Sequence, residues 1–119
     1  MVSYRVPQTS GVAPLEDDDV DRIFRALADA TRRDIIRRTL VEEETISALA
    51  EAYDMSFAAV QKHVTALAAA GLVAKQTRGR ERLVRARPET IRHAQSLLHR
   101  YEELWRTRLT RLDDLLAED

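Results

Sequence analysis

The sequence contains no cysteine among its 119 residues, which excludes disulfides and thiolate metal ligands. Only 5% of the residues are aromatic, so a core must be built mainly from Leu, Ile, Val and Ala, as in a helical protein. No apolar run approaches the roughly 20 residues of a membrane-spanning helix. The N-terminus also lacks the basic start and apolar segment of a secretory signal. We therefore expect a cytoplasmic protein.

The positive and negative charges nearly balance, but they are unevenly distributed along the chain. The net charge is only −1, which by itself indicates no partner. Residues 60–92, however, hold eight Lys and Arg against two Asp and Glu, whereas residues 1–59 and 93–119 are both acidic. A basic segment between acidic flanks is typical of a surface that meets a polyanion such as a nucleic acid.

Residues 1–15 show no hydrophobic periodicity and contain Pro7, Gly11 and Pro14, which predicts a flexible N-terminal arm. The remaining residues, 16–119, are enough for one domain with a modest core. An acidic run at residues 16–19 favours a helix start, because its charges oppose the positive end of the helix dipole.

Two helices are predicted at the start of the domain. The apolar stripe of the first consists of Val20, Ile23, Phe24 and Leu27. The second is predicted over residues 31–43, with the inward positions Ile35, Ile36, Thr39 and Leu40. Its arginines are interpreted mainly as solvated side chains, partly paired with Asp34 and Glu42.

The next two predicted helices form a helix-turn-helix. Thr45 can cap a short third helix, and Asp54 stands in the turn, where Asp tolerates left-handed backbone better than most residues. Ser56 can cap the fourth helix, and Gly71 can end it. The inward positions of the fourth helix are Val60, Val64 and Leu67.

The outer face of the fourth helix suits a DNA major groove. It carries Ala58, Gln61, Lys62, Thr65 and Ala69. An amide side chain can pair with adenine, and a small residue can meet the thymine methyl group. An ordinary amphipathic helix with a solvated outer face is the alternative interpretation, and the neighbouring segments favour the recognition helix.

Residues 73–86 change from a helical period to a strand period and predict a hairpin that turns at Gly79. Five arginines and one glutamate lie between residues 78 and 87. A basic hairpin directly behind a recognition helix is a wing, whose arginines can bind phosphates or a narrow minor groove. The alternative is an edge hairpin that its charges protect from aggregation, and the number of arginines favours the wing.

Pro88 ends the hairpin, and a long last helix is predicted to follow. Its apolar residues fall within an arc of about 140°; they are Ile91, Ala94, Leu97, Leu98, Tyr101, Leu104, Trp105, Leu109, Leu112, Leu115 and Leu116. So small a domain cannot cover this stripe alone, so we expect it to pack on a second copy of the chain. Arg108, inside the stripe, is expected to snorkel or to meet an acidic partner. A break near residues 96–98, which would split the helix in two, remains an alternative.

Residues 19–118 together resemble the ArsR/SmtB family of bacterial winged-helix repressors. The resemblance is carried by LADATRRDIIRRTL, AEAYDMSFAAVQKHVTALAAAGLV and the arginine-rich hairpin. The closing YEELWRTRLTRLDDLL is similar to the subgroup whose dimer helix bears tyrosine and tryptophan. Lys62 and His63 match the family's S-K-H segment, whereas Gln61 stands in place of its serine, so the family's operator sequences do not carry over.

The resemblance implies a mainly α fold with a small β-hairpin, a winged helix-turn-helix of five helices in which the two strands precede the last helix. It also implies a homodimer through the first and last helices, a double-stranded DNA operator, and repression released by a signal from a small-molecule or protein effector. The residues assigned to DNA binding are Ser56, Phe57, Ala58, Gln61, Lys62, His63, Thr65, Arg78, Arg80 and Arg82. Those assigned to the dimer interface are Val20, Ile23, Phe24, Leu97, Tyr101, Leu104, Trp105, Leu112 and Leu115.

Metal sensing does not carry over from the family, because many members bind metal through cysteines and this chain has none. On the last helix, His93 and His99 lie about 120° apart and roughly 9 Å along the axis, too divergent to share one ion within a chain. His63, on the recognition helix, is expected to contact phosphate or to pack rather than to bind metal. A site shared across the dimer with Glu102 or Glu103 is the alternative, and solvated histidines are favoured over it. No metal and no cofactor are expected.

A sequence-specific DNA-binding transcriptional regulator, as a dimeric repressor, is thus the leading interpretation. The alternative is a protein-interaction module that uses a winged-helix scaffold and an amphipathic last helix. Because the sequence offers no nucleophile–base pair, Gly-rich phosphate loop or metal-ligand spacing, we expect no enzyme.

Overall fold

The computed structural model describes residues 17–117, and the predicted arm over residues 1–15 lies outside them. Five helices and a three-stranded antiparallel sheet follow one another along this part of the chain. In order they are α1 (Asp17–Leu27), α2 (Ala30–Val41), β1 (Glu44–Thr45), α3 (Ile46–Tyr53), α4 (Phe57–Ala69), β2 (Val73–Arg78), β3 (Glu81–Ala86) and α5 (Pro88–Ala117). The fold is the predicted winged helix-turn-helix, with one strand more than the sequence indicated.

Three helices begin at side-chain caps. The side chains of Asp29, Thr45 and Ser56 each accept a hydrogen bond from the backbone N–H three residues later, at 3.0 to 3.1 Å. Each bond satisfies one of the amide groups that a helix leaves unpaired at its start. The predicted caps at Thr45 and Ser56 are confirmed.

Two left-handed residues set the path into and out of α4. Asp54, in the turn between α3 and α4, has φ of 53°, and its N–H bonds back to the carbonyls of Ala50 and Glu51. Gly71, just past α4, has φ of +75°, and its carbonyl accepts the hydroxyl of Thr90 at 2.6 Å. Both predicted roles are confirmed, and the second contact ties the end of α4 to the first turn of α5.

The sheet contains a strand that the sequence did not reveal. Strands β2 and β3 form the predicted hairpin, and β1 adds to the other edge of β3, with Thr45 opposite Leu83. A two-residue strand is too short to show an alternating pattern, so its pairing partner defines it. The strand brings the start of α3 against the base of the wing.

The core lies between the helices and one face of the sheet. Its fully buried residues include Ile35, Ile46, Leu49, Val60, Val64, Leu67, Leu72 and Val84. Thr39 is buried as predicted, because its hydroxyl donates to the carbonyl of Ile35 at 2.7 Å. Leu40 was predicted to point inward, and this is wrong: it is 49% exposed, since it lies one position beyond the buried face of α2.

Helix α5 is continuous over its 30 residues, so the alternative with a break near residues 96–98 is wrong. At about 1.5 Å per residue it is roughly 45 Å long. Ala94 is its only buried residue, and every residue from 101 to 117 is exposed. No helix within residues 17–117 is long and apolar enough to cross a membrane.

Candidate nucleic-acid interface

Helix α4 turns one face into the core and the opposite face to solvent. Val60, Val64 and Leu67 are fully buried, which fixes the rotation of the helix about its axis. Of the residues assigned to DNA binding, five are exposed at its start and along its outer face: Ser56, Phe57, Ala58, Lys62 and Thr65. Because the buried face is so well packed, the outer face has a defined orientation.

The wing extends beside this face and is basic. Arg78, Arg80 and Arg82 are all exposed, and Gly79 makes the turn with φ of +64°. Arg78 lies 4.0 Å from a carboxylate oxygen of Glu43, at the outer limit of an ion pair. Arg80, at the tip, forms no hydrogen bond or ion pair with any residue from 17 to 117. Its charge is therefore available to an outside partner.

Arg82 differs from the other wing arginines, because α4 holds it. Its Nη1 donates to Oε1 of Gln61 at 3.2 Å, and its guanidinium lies 6.0 Å from the centroid of the Phe57 ring. The sequence assigned both residues to DNA binding and did not predict a contact between them. The structure places these two side chains against each other, 21 positions apart in the chain.

A concave surface of about 400 Å³ separates the wing from the two helices of the helix-turn-helix. Thr45 and Ser47 line it from the start of α3, Phe57 from the start of α4, and Arg80 and Arg82 from the wing. Glu81 of the wing also lines it, so its walls carry two cations and one carboxylate beside the starts of α3 and α4.

His63 faces another part of its own chain. Its Nδ1 accepts a hydrogen bond from Nε of Arg32 at 3.1 Å, and the ring is half-buried between α4 and α2. Of the two interpretations of His63, a phosphate contact and a packed residue, this geometry favours the packed residue. Arg32, interpreted from sequence as solvated, is its partner.

A polar network joins α2 to α3; the pairing of Asp34 with arginines of α2 was predicted, whereas the bond from Tyr53 was not. Asp34 accepts hydrogen bonds from the hydroxyl of Tyr53 at 2.5 Å, from Arg37 at 2.6 and 2.9 Å, and from Arg38 at 3.2 Å. Chiefly the Tyr53 and then the Arg37 hydrogen bonds lower the pKa of Asp34 to about 2. Burial and the bond to Asp34 raise the pKa of Tyr53. The network fixes the first helix of the helix-turn-helix on the body of the domain.

The second half of α5 presents the apolar stripe to solvent. Tyr101, Leu104, Trp105, Leu112 and Leu115 are between 47% and 66% exposed, and Phe24 of α1 is 37% exposed. The guanidinium of Arg108 lies over the ring of Trp105, 5.9 Å from its centroid, rather than beside a carboxylate. Leu97 and Val20 are half-buried. Ile23, also assigned to the interface, is only 1% exposed and belongs to the core of its own chain, so it has almost no surface to offer.

Of the two histidines of α5, His99 contacts a carboxylate of its own helix. Nε2 of His99 lies 3.2 Å from a carboxylate oxygen of Glu103, four residues along the same helix. Within residues 17–117, no three His, Cys, Asp or Glu side chains come together as a metal site would require.

The recognition helix, its turn and the wing together define a winged helix-turn-helix protein. A crystal structure of an ArsR family transcriptional regulator is 30% identical, with a TM-score of 0.73, and the match covers 79% of this chain and 97% of that one. An ArsR-like regulator from Rhodococcus sp. RHA1 is 29% identical, with a TM-score of 0.74 over 86% of this chain and 96% of its own. The chain belongs to the ArsR family of transcriptional regulators.

A third structure is similar in fold. It is the homodimeric winged helix-turn-helix DNA-binding domain of a possible ArsR-family regulator from Mycobacterium bovis. It is 24% identical, with a TM-score of 0.60, and the match covers 76% of this chain and 91% of that domain. No protein-family model and no curated protein sequence matches the chain. The similar structures are regulators of transcription, not enzymes.

Proposed function

We propose that this chain binds a double-stranded DNA operator as a homodimer and represses transcription until a signal releases it. The observation that carries the proposal is one continuous surface, on which the exposed face of α4 lies beside the basic wing. An α-helix fits the major groove, and a hairpin beside it can reach the flanking backbone or minor groove.

The charges on this surface support a polyanionic partner. Lys62 and Arg80 are exposed and form no hydrogen bond or ion pair elsewhere in the described chain. Neither side chain therefore has to break an existing contact when it binds a phosphate. Such contacts release counterions from DNA, which makes affinity fall steeply with salt.

The exposed stripe of α5 supports the homodimer. Leu104 and Leu115 are 65% and 66% exposed on a helix half that contacts no other described element closely enough to be covered. A second copy offers the same stripe, so two copies related by a twofold axis can bury both stripes against each other. The similar domain from Mycobacterium bovis is homodimeric, which fits this arrangement.

Repression, and its release by a small-molecule or protein effector, are part of the proposal because the chain resembles the ArsR/SmtB repressors. A transcriptional regulator works where the DNA is, so the proposal keeps the expectation of a cytoplasmic protein. It also makes the chain a binding protein without catalytic activity, in line with its relatives.

The test is DNA binding by the full chain. Duplexes selected from a random library should bind with an affinity whose logarithm falls linearly with the logarithm of salt concentration. Lys62→Ala and Arg80→Ala should each reduce that slope by about one unit. Arg106→Ala is the matched control, because Arg106 pairs with Glu102 on α5, away from the wing. Failure to select any duplex, or an affinity insensitive to salt, would favour the protein-interaction module instead.

A further inference from the structure

The contact between Arg82 and α4 joins the wing to the recognition helix through two side chains. Phe57 and Gln61 are four residues apart on α4 and are therefore neighbours on its surface. Arg82 lies against both, bound to the amide of one and placed over the ring of the other. Since Phe57 and Arg82 are exposed, core packing does not force this arrangement. The specific interactions among the three side chains hold it.

The hydrogen bond determines which end of the Gln61 amide faces the wing. A guanidinium carries only donors, so the atom that faces Arg82 must be the carbonyl oxygen. The Nε2 amino group is then left as the free end of the amide, since Gln61 makes no other hydrogen bond within residues 17–117. A glutamine without this neighbour could present either end to a base.

We propose that Arg82 is a positioning residue for base recognition, which orients the Gln61 amide and thereby sets specificity at the base pair that Gln61 meets. The inference rests on the proposed function. It assigns Arg82 a different task from Arg80, which has no such contact with α4 and is free to bind phosphate.

The orientation has a chemical consequence at the base edge. An amide that presents its amino group favours an acceptor, which adenine and guanine offer at N7, guanine also at O6 and thymine at O4. Cytosine offers only the N4 amino donor in the major groove. The oriented Gln61 should therefore discriminate most strongly against cytosine, and an amide released from Arg82 can turn its oxygen to that base and lose the discrimination.

The test is a double-mutant cycle with the full chain and a duplex selected from a random library. Substituting each base pair of the duplex locates the position at which Gln61→Ala abolishes discrimination. At that position, the ratio of the dissociation constants for the cytosine-substituted and preferred duplexes should be roughly 5- to 150-fold for the wild type. Arg82→Ala should reduce this ratio several-fold. In the Gln61→Ala background, Arg82→Ala should leave the ratio unchanged, because the amide on which it acts is gone.

Two further variants separate positioning from charge and folding. Arg80→Ala removes the same charge from the same hairpin, and it should weaken both duplexes equally without changing the ratio. Arg82→Lys keeps a donor-only side chain at the position and should retain most of the discrimination, even if Arg82→Ala proves unstable.

Two results would overturn the inference while DNA binding itself stands. In the first, Arg82→Ala weakens both duplexes equally and lowers the salt slope as Arg80→Ala does, which would make Arg82 a phosphate contact. In the second, Arg82→Ala changes the ratio of the two dissociation constants as much in the Gln61→Ala background as in the wild type. A wild-type chain with no salt-dependent DNA binding is a different result, which removes the proposed function and this inference together.

Discussion

Replacing Trp105 with alanine should weaken the proposed dimer by about two orders of magnitude or more. A tryptophan side chain can bury at most about 250 Å². Because Trp105 is 54% exposed in the protomer, about 135 Å² remains for a partner on that basis. If the second copy covers half of this area, burial contributes about 1.7 kcal/mol per protomer at about 25 cal/mol per Å².

A twofold interface counts this contribution twice. The dimer should therefore lose about 3.4 kcal/mol, which corresponds to a dissociation constant about 300-fold higher. Arg106→Ala is the matched control on the neighbouring position. Arg106 is exposed and paired only with Glu102 at the surface, and such pairs contribute about 1 kcal/mol or less.

Sedimentation equilibrium over nanomolar to micromolar concentrations measures these constants directly. The wild type should be dimeric and Trp105→Ala largely monomeric at a concentration where Arg106→Ala remains dimeric. The temperature of unfolding should also depend on concentration, since only the folded chain associates. A wild type that stays monomeric at high micromolar concentration would refute the reasoning, as would equal constants for the two variants.

Three further predictions concern stability and metals. The folded-state pKa of Asp34, about 2, lies below its ordinary 3.8, so its ionised form adds stability that is fully present above about pH 4 and is lost as the pH falls toward 2. Unfolding measured over that range should show a shallower decline for Asp34→Asn, and an unchanged decline would contradict this origin. Gly71→Ala and Gly79→Ala should each cost about 1 kcal/mol of unfolding free energy because both positions have positive φ. The added Cβ meets no atom closer than ordinary van der Waals contact at either position, so unequal costs would contradict a purely backbone origin. Zinc should not change operator affinity, because His93 and His99 diverge; zinc binding that is lost in His93→Ala and that shifts affinity would contradict this.

Local patterns were enough to predict the five helices, the hairpin and most of their ends. The caps at Thr45 and Ser56, the left-handed Asp54 and the turn at Gly79 all depend on a few adjacent residues. The continuity of α5 was left open by the sequence, and the structure decides it. Strand β1 could not be predicted from the sequence, because its two residues form a strand only by pairing with β3.

The contacts of the candidate interface could not be read in the same way. Arg82 meets Gln61 across 21 positions, and Arg32 meets His63 across 31. A sequence shows which of these side chains can donate and accept, but the packing of the wing and of α2 against α4 decides which partners meet. The sequence therefore predicts which residue types lie on this surface, but it does not predict that Arg82 contacts Gln61 or that Arg32 contacts His63.

The exposed half of α5 has a consequence for how the chain becomes ordered. In a lone protomer, residues 101–117 have only their own helical hydrogen bonds and surface pairs to hold them. A helix of that length without tertiary contacts is marginal in water. Ordering of this segment should then accompany association, so that part of the binding energy is spent on helix formation. On dilution, the backbone amides of this segment should exchange with deuterium before those of α4, and the concentration of the protein itself would set how far its last helix is folded.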